Sequence, residues 1–140
     1  MFELDERLQR DTVMVGRFPL SLLLLNKDAN YPWCILVPAR LAIQEIYELA
    51  ARDRQQLLDE SCRLGAVLTK LFSPDKLNIA ALGNVVPQLH LHHIVRYRND
   101  PAWPAPVWGA VPPLDYSAGD LSARQRLIAD YLAGEDFASA

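Results

Sequence analysis

Nowhere does the chain hold an apolar run near the ~20 residues that a membrane-spanning helix needs. Its first residues, Met1 to Arg7, lack the basic flank and apolar stretch of a secretion signal. Positive charge is not in excess either: 14 Lys and Arg against 17 Asp and Glu leave a formal charge of −3. That balance gives no long-range attraction for nucleic acid, although Arg96 and Arg98 can still make a locally basic pocket. Cysteine is scarce. Cys34 lies in an apolar, strand-like run and Cys62 in a helix-like one, so both are expected as small buried apolar side chains without a disulfide. Repeats and low-complexity stretches are missing. The expectation is a soluble cytoplasmic protein with neither nucleic acid nor a membrane as partner.

What is present suits one core. A length of 140 residues, 51% of them hydrophobic and 22% charged, supports a single folded domain over 1–140. Its core is expected over about 12–108, with a loop and helix over 109–140. Phe2–Arg10 reads as a helical turn or two. Strands are expected at 12–16, 20–25, 33–37 and 76–82, the second and third joined by a turn-forming link too short for a parallel crossover. In Asp53–Phe72 apolar residues recur at 57/58, 61/62, 64/65, 68 and 71/72, the spacing of one helical stripe. Between Asn99 and Pro113 an ordered loop packs Trp103, Val107 and Trp108. Ser122-Ala123-Arg124-Gln125 resembles a capping box opening a last helix. The class is α+β: a small antiparallel sheet of about five strands, one long helix and a C-terminal helix.

All three histidines fall within four residues, in Pro87-Gln88-Leu89-His90-Leu91-His92-His93-Ile94-Val95-Arg96. Read as a strand, this segment puts Gln88, His90, His92, Ile94 and Arg96 on one face and His93 on the other. Three roles compete for His90 and His92. They can be structural. They can be metal ligands, although no third ligand has suitable spacing. Or a neutral imidazole, held in one tautomer, can attack phosphorus while its neighbour meets the anionic oxygens. Residue chemistry alone does not choose.

The stretch from Gly83-Asn84-Val85 through His90-Leu91-His92-His93-Ile94 resembles the signature of the histidine-triad (HIT) family of nucleotide hydrolases and transferases. The resemblance spans roughly 22–108. It implies an antiparallel sheet with a long helix, usually as a homodimer, and a nucleotidyl-histidine intermediate passed to water or another acceptor. His90 falls on the nucleophile and His92 on the third triad position, which meets the α-phosphate. The first position holds Gln88 where the family usually has histidine. An amide can position a neighbour but cannot titrate. His93 is expected to be buried or structural.

The same resemblance assigns Gly83, Asn84 and Val85 to the phosphates, where backbone N–H groups in a turn stabilise negative charge. Asn26 or Asp28 is expected at the ribose, Asn78 near the leaving group, Arg96 toward a polyphosphate, and Trp108 at the pocket or a partner. The implied activity is hydrolysis of a nucleoside 5′-phosphoanhydride or phosphoramidate, such as a dinucleoside polyphosphate or an adenylated small molecule. The alternative is a nucleotide-binding or regulatory protein on the same fold with little turnover. No cofactor is obligatory and no metal is expected, magnesium entering only with a polyphosphate substrate.

Overall fold

A computed structural model describes residues 1–134 and 136–140. Helix α1 (Glu6–Asp11) leads into β1 (Thr12–Arg17), β2 (Ser21–Asn26) and β3 (Trp33–Pro38). The long helix α2 (Ala51–Phe72) precedes β4 (Lys76–Ala80) and β5 (Leu91–Arg96), and α3 (Asp120–Leu132) and β6 (Ala138–Ser139) end the chain. One sheet holds all six strands in the order β4-β5-β3-β2-β1-β6, with antiparallel pairing throughout.

The central strands carry nearly continuous apolar sequence because both of their faces are covered. On one face Leu23, Leu25, Cys34 and Leu36 pack against Leu57, Leu64 and Leu68 of α2 and Ile128 and Leu132 of α3. On the other, Leu22, Leu24, Trp33, Ile35 and Val37 meet Leu8 and Val107, with Phe2, Leu4 and Trp108 packed alongside. A helix pair covers the first face; the N-terminal segment and the Trp-rich loop cover the second.

The short edge strand β6 adds the sixth strand to the expected five. It fits only because Gly16 has no side chain: a Cβ there would lie 2.3 Å from the carbonyl oxygen of Ala138. Buried Glu60 accepts the main-chain N–H groups of Leu20 and Ser21 at 2.9 and 3.1 Å, which closes the bend into β2.

Three expectations are corrected. Cys62 is exposed, whereas Cys34 is buried; α2 turns its Leu57, Ser61, Leu64 and Leu68 edge inward and leaves Leu58 and Cys62 on the flank. The Ser122–Gln125 box does not open α3, because Gly119, at φ +84°, starts the helix one turn earlier. The histidine strand begins at Leu91 rather than near Pro87, since pairing with β3 ends at Leu36–Leu91. Gln88, Leu89 and His90 therefore precede the ladder.

Candidate active site

Because Gln88 sits outside the ladder, its carbonyl has no strand partner. It lies 2.7 Å from Nδ1 of His90. A carbonyl only accepts, so Nδ1 carries the proton and Nε2 keeps its lone pair. That is the tautomer a nucleophilic imidazole needs.

His92, two residues on, shares this face; the two rings meet edge to face with centroids 4.9 Å apart. The indole N–H of Trp33 donates to Nδ1 of His92 at 3.0 Å. Nε2 of His92 therefore bears the proton, directed at the Leu82 carbonyl over a long 3.3 Å. Burial, with the nearby His90 adding to it, pushes the His92 pKa down to about 4, so the ring is a neutral donor at physiological pH.

His93 faces α2 as expected from strand alternation. Its Nδ1 donates to the Leu91 carbonyl at 3.1 Å, and Nε2 takes the hydroxyl proton of Ser61 at 2.7 Å. Burial lowers its pKa to about 4. Both nitrogens are spent and the ring is enclosed, a structural role.

Gly83, Asn84 and Val85 come round beside His90 and His92, closing a cavity of about 290 Å³ with Leu8, Asp11, Thr12, Asn26, Trp33 and Trp108. A Cβ on Gly83 would stand 3.5 Å from Cε1 of His90 and 3.2 Å from the Val86 carbonyl oxygen. Trp108 packs edge to face against both His92 and Trp33, at centroid distances of 5.0 and 5.8 Å. A second cavity of about 300 Å³ shares Asp11, Asn26 and Trp33 with the first and continues past Lys27 and Asp28. A larger cavity, about 1020 Å³ and strongly apolar, lies elsewhere, between α2 and β4.

Other expected residues are placed differently. Arg96 is 1% exposed and does not reach the cavity. Its Nε and Nη2 fork onto Asp100 at 2.8 and 3.2 Å, Nη1 donates to Asn78 Oδ1 at 2.7 Å, and Nη2 also donates to the Ala105 carbonyl. Tyr31 and Trp103 flank the guanidinium at 5.7 and 5.6 Å. Strand parity puts Arg96 on the His90 face, and the Trp-rich loop folds over that end of the strand and buries it. Asn78 is spent on the same network, away from the leaving-group position expected for it. Asp28 Oδ1 accepts from Asn30 N, Asn30 Nδ2 and Leu114 N, so the carboxylate organises the turn and pins the C-terminal loop. Asn26 lines both cavities, and its Oδ1 accepts from Asp28 N at 2.8 Å.

Trp33 stands in the strand expected at 33–37, and its indole also sets the His92 tautomer, a bond that an aromatic at a strand start does not signal. Leu8, Asp11 and Thr12 belong to an N-terminal region that the motif does not reach. Gln88 is also not engaged with the triad as expected: its amide bonds the backbone of Glu3 and Asp5. Among the described residues no group of three or more His, Cys, Asp or Glu could hold a metal ion. No described helix is long and apolar enough to cross a membrane.

An open antiparallel sheet, a long covering helix and two tautomer-locked histidines beside a glycine turn define the histidine-triad class. The HIT domain family model matches residues 7–99, and the chain belongs to that family. A histidine triad protein from Marinobacter aquaeolei is 49% identical with a TM-score of 0.90, covering 95% of this chain and 99% of its own. One from Bradyrhizobium japonicum is 45% identical with the same TM-score, covering 92% and 96%. Plasmodium falciparum diadenosine triphosphate hydrolase shares the fold at 18% identity, with a TM-score of 0.61 over 94% of this chain and 80% of its own. No curated protein matches the sequence.

Proposed function

We propose that this protein hydrolyses a nucleoside 5′-phosphoanhydride or phosphoramidate through a nucleotidyl-histidine intermediate. The observation that carries the reading is the free Nε2 lone pair of His90, set by the 2.7 Å bond from Nδ1 to the Gln88 carbonyl. Nε2 attacks the α-phosphorus in line and the bond to the leaving atom breaks, its electron pair going with the leaving group. The weakly held Nε2–H of His92 turns from the Leu82 carbonyl to a phosphoryl oxygen, and the amides of the Gly83–Val85 turn meet the same developing charge. The leaving group takes up one proton. Water then adds to phosphorus, the P–Nε2 bond breaks, and the proton lost by water restores the balance, releasing a nucleoside monophosphate and neutral His90. The ribose falls to Asn26, with Trp33 and Trp108 walling the site. HIT family membership and a hydrolase on the same fold support this reading in general terms.

Adenosine 5′-phosphoramidate and diadenosine tetraphosphate are the test substrates, followed by product assay and intact mass. AMP release, with an AMP-sized adduct that His90→Ala abolishes, is the expected result. Tight AMP binding with neither product nor adduct would instead establish a binding protein on this fold.

A homodimer is part of the proposal. Among the described residues strand β4 has an unpaired outer edge, and the apolar cavity beside it leaves Leu58 and Ile79 57% and 51% exposed. A second copy pairing along this edge would cover both. Light scattering should give a dimer that Leu58→Lys with Ile79→Lys converts to monomer; a wild-type monomer at tens of micromolar ends this part of the proposal.

A further inference from the structure

Gln88 stands at the first triad position, but its side-chain amide is committed elsewhere. Nε2 donates to the Glu3 carbonyl at 2.8 Å and Oε1 accepts the Asp5 N–H at 2.9 Å. An extended chain presents the C=O of one residue and the N–H of the residue two further on along the same edge. The amide therefore bonds this segment as a neighbouring strand would. An imidazole cannot copy it, because its two nitrogens point away from opposite edges of the ring.

From this bond the attachment spreads. Asp5 caps α1 by accepting from Arg7 N at 2.9 Å. The Arg7 guanidinium forks onto the same carboxylate and places Nη1 3.1 Å from the Val85 carbonyl. That hydrogen-bonded pair holds the Asp5 carboxyl below its ordinary range. Beyond the cap, Leu8, Asp11 and Thr12 form a wall of the histidine cavity.

We infer that Gln88 is a positioning residue for the N-terminal segment, which is one wall of the substrate site, and that its side chain governs substrate binding rather than the chemistry at His90. The inference rests on the nucleotide site proposed above and extends it to residues 3–12. The family's usual histidine at this position is replaced because the position has a different task here: holding the segment that completes the pocket.

Three variants test it. Gln88→Ala and Gln88→His remove the paired bonds, and Leu4→Asp loosens the segment from its packing without touching Gln88. Hydrogen exchange of residues 3–11 is followed in the free protein, AMP affinity by fluorescence of Trp33 and Trp108, and kcat and KM with adenosine 5′-phosphoramidate. All three variants should exchange at least tenfold faster over the segment and raise the AMP Kd and KM together by roughly three- to thirtyfold, with kcat changed less than threefold. Gln88→His with exchange and Kd at wild-type values overturns the inference, as does a fall in kcat at constant KM. If the wild type neither binds AMP nor turns over the phosphoramidate, the proposed function fails, and unchanged exchange in the Gln88 variants separately overturns the positioning role of the Gln88 amide.

Discussion

His90 bonds through Nδ1 to the main-chain carbonyl of Gln88, two residues earlier in its own chain, at 2.7 Å. The bond exists because β5 starts only at Leu91, so this carbonyl is not consumed by the ladder. A ring held by its own backbone keeps its orientation without a second titrating side chain. The His90 ring thus presents a directed lone pair although the side chain of Gln88, two residues before it, cannot titrate.

The tautomer is directly measurable. Nitrogen-15 NMR at pH 7.5 should show His90 protonated at Nδ1 and His92 at Nε2. His90→Asn should lower turnover on the order of 10³-fold or more while AMP binding changes little, the pattern of a lost nucleophile. A His90 ring protonated at Nε2 would contradict the mechanism.

Trp33→Phe keeps an aromatic ring and deletes the N–H that His92 Nδ1 receives at 3.0 Å. An unpaired buried acceptor costs about 1–3 kcal/mol, and the His92 proton becomes free to exchange between nitrogens. A fall of roughly tenfold in kcat with a lower Tm is expected. Unchanged kcat would show that His92 does not need a fixed tautomer.

Stability should fall with acid in a defined window. His92 and His93 titrate near 4 when folded, against an ordinary value of 6.5. Between those limits the unfolded chain binds protons that the folded chain refuses. Their contribution is complete above pH 6.5, and each histidine loses up to about 1.4 kcal/mol per pH unit as pH falls toward 4, where both states are protonated. Urea midpoints from pH 8 to pH 4 should show this slope, and His93→Gln should remove about half of it. A flat wild-type profile would mean that both rings take up protons in the fold as readily as in the unfolded chain.

Arg96 should behave as structure. Removing it strands Asp100, which stays ionised despite its burial through bonds from Arg96 and the main chain of Tyr97, Ala102 and Trp103. Breaking a buried pair on one side costs about 3–5 kcal/mol. Arg96→Met is expected to lower the urea midpoint sharply, with KM for diadenosine tetraphosphate within about twofold in the folded fraction. A large KM change at unaltered stability would return Arg96 to the substrate.

Gly83→Ala probes the space beside His90, where the new methyl would crowd the Val86 carbonyl and approach the imidazole ring. The turn is exposed, so stability should move by less than about 0.5 kcal/mol. A drop in kcat/KM of about tenfold is expected, and wild-type kinetics would place the phosphate away from this turn.

Local chemistry made much of this legible in the residues alone. Strand alternation separated His93 from His90 and His92, and a three-four spacing located α2, because both depend only on backbone periodicity. Leu20–Leu25 and Trp33–Val37 read as buried strands because each is a short, almost wholly apolar run, with Ser21 the one polar interruption. The motif then marked the face of the candidate site, since its histidines and turn lie within ten residues of one another.

Partners distant in sequence decided the rest. Arg96 meets Asn78 across 18 positions, under a loop that folds back over it. Trp33 reaches His92 across 59 positions, and Gln88 reaches Glu3 across 85. Hydrogen-bond donors and acceptors are satisfied by whichever group the packed chain brings within about 3 Å. Periodicity assigns a side chain to a face; only the closed fold selects the atom it touches there.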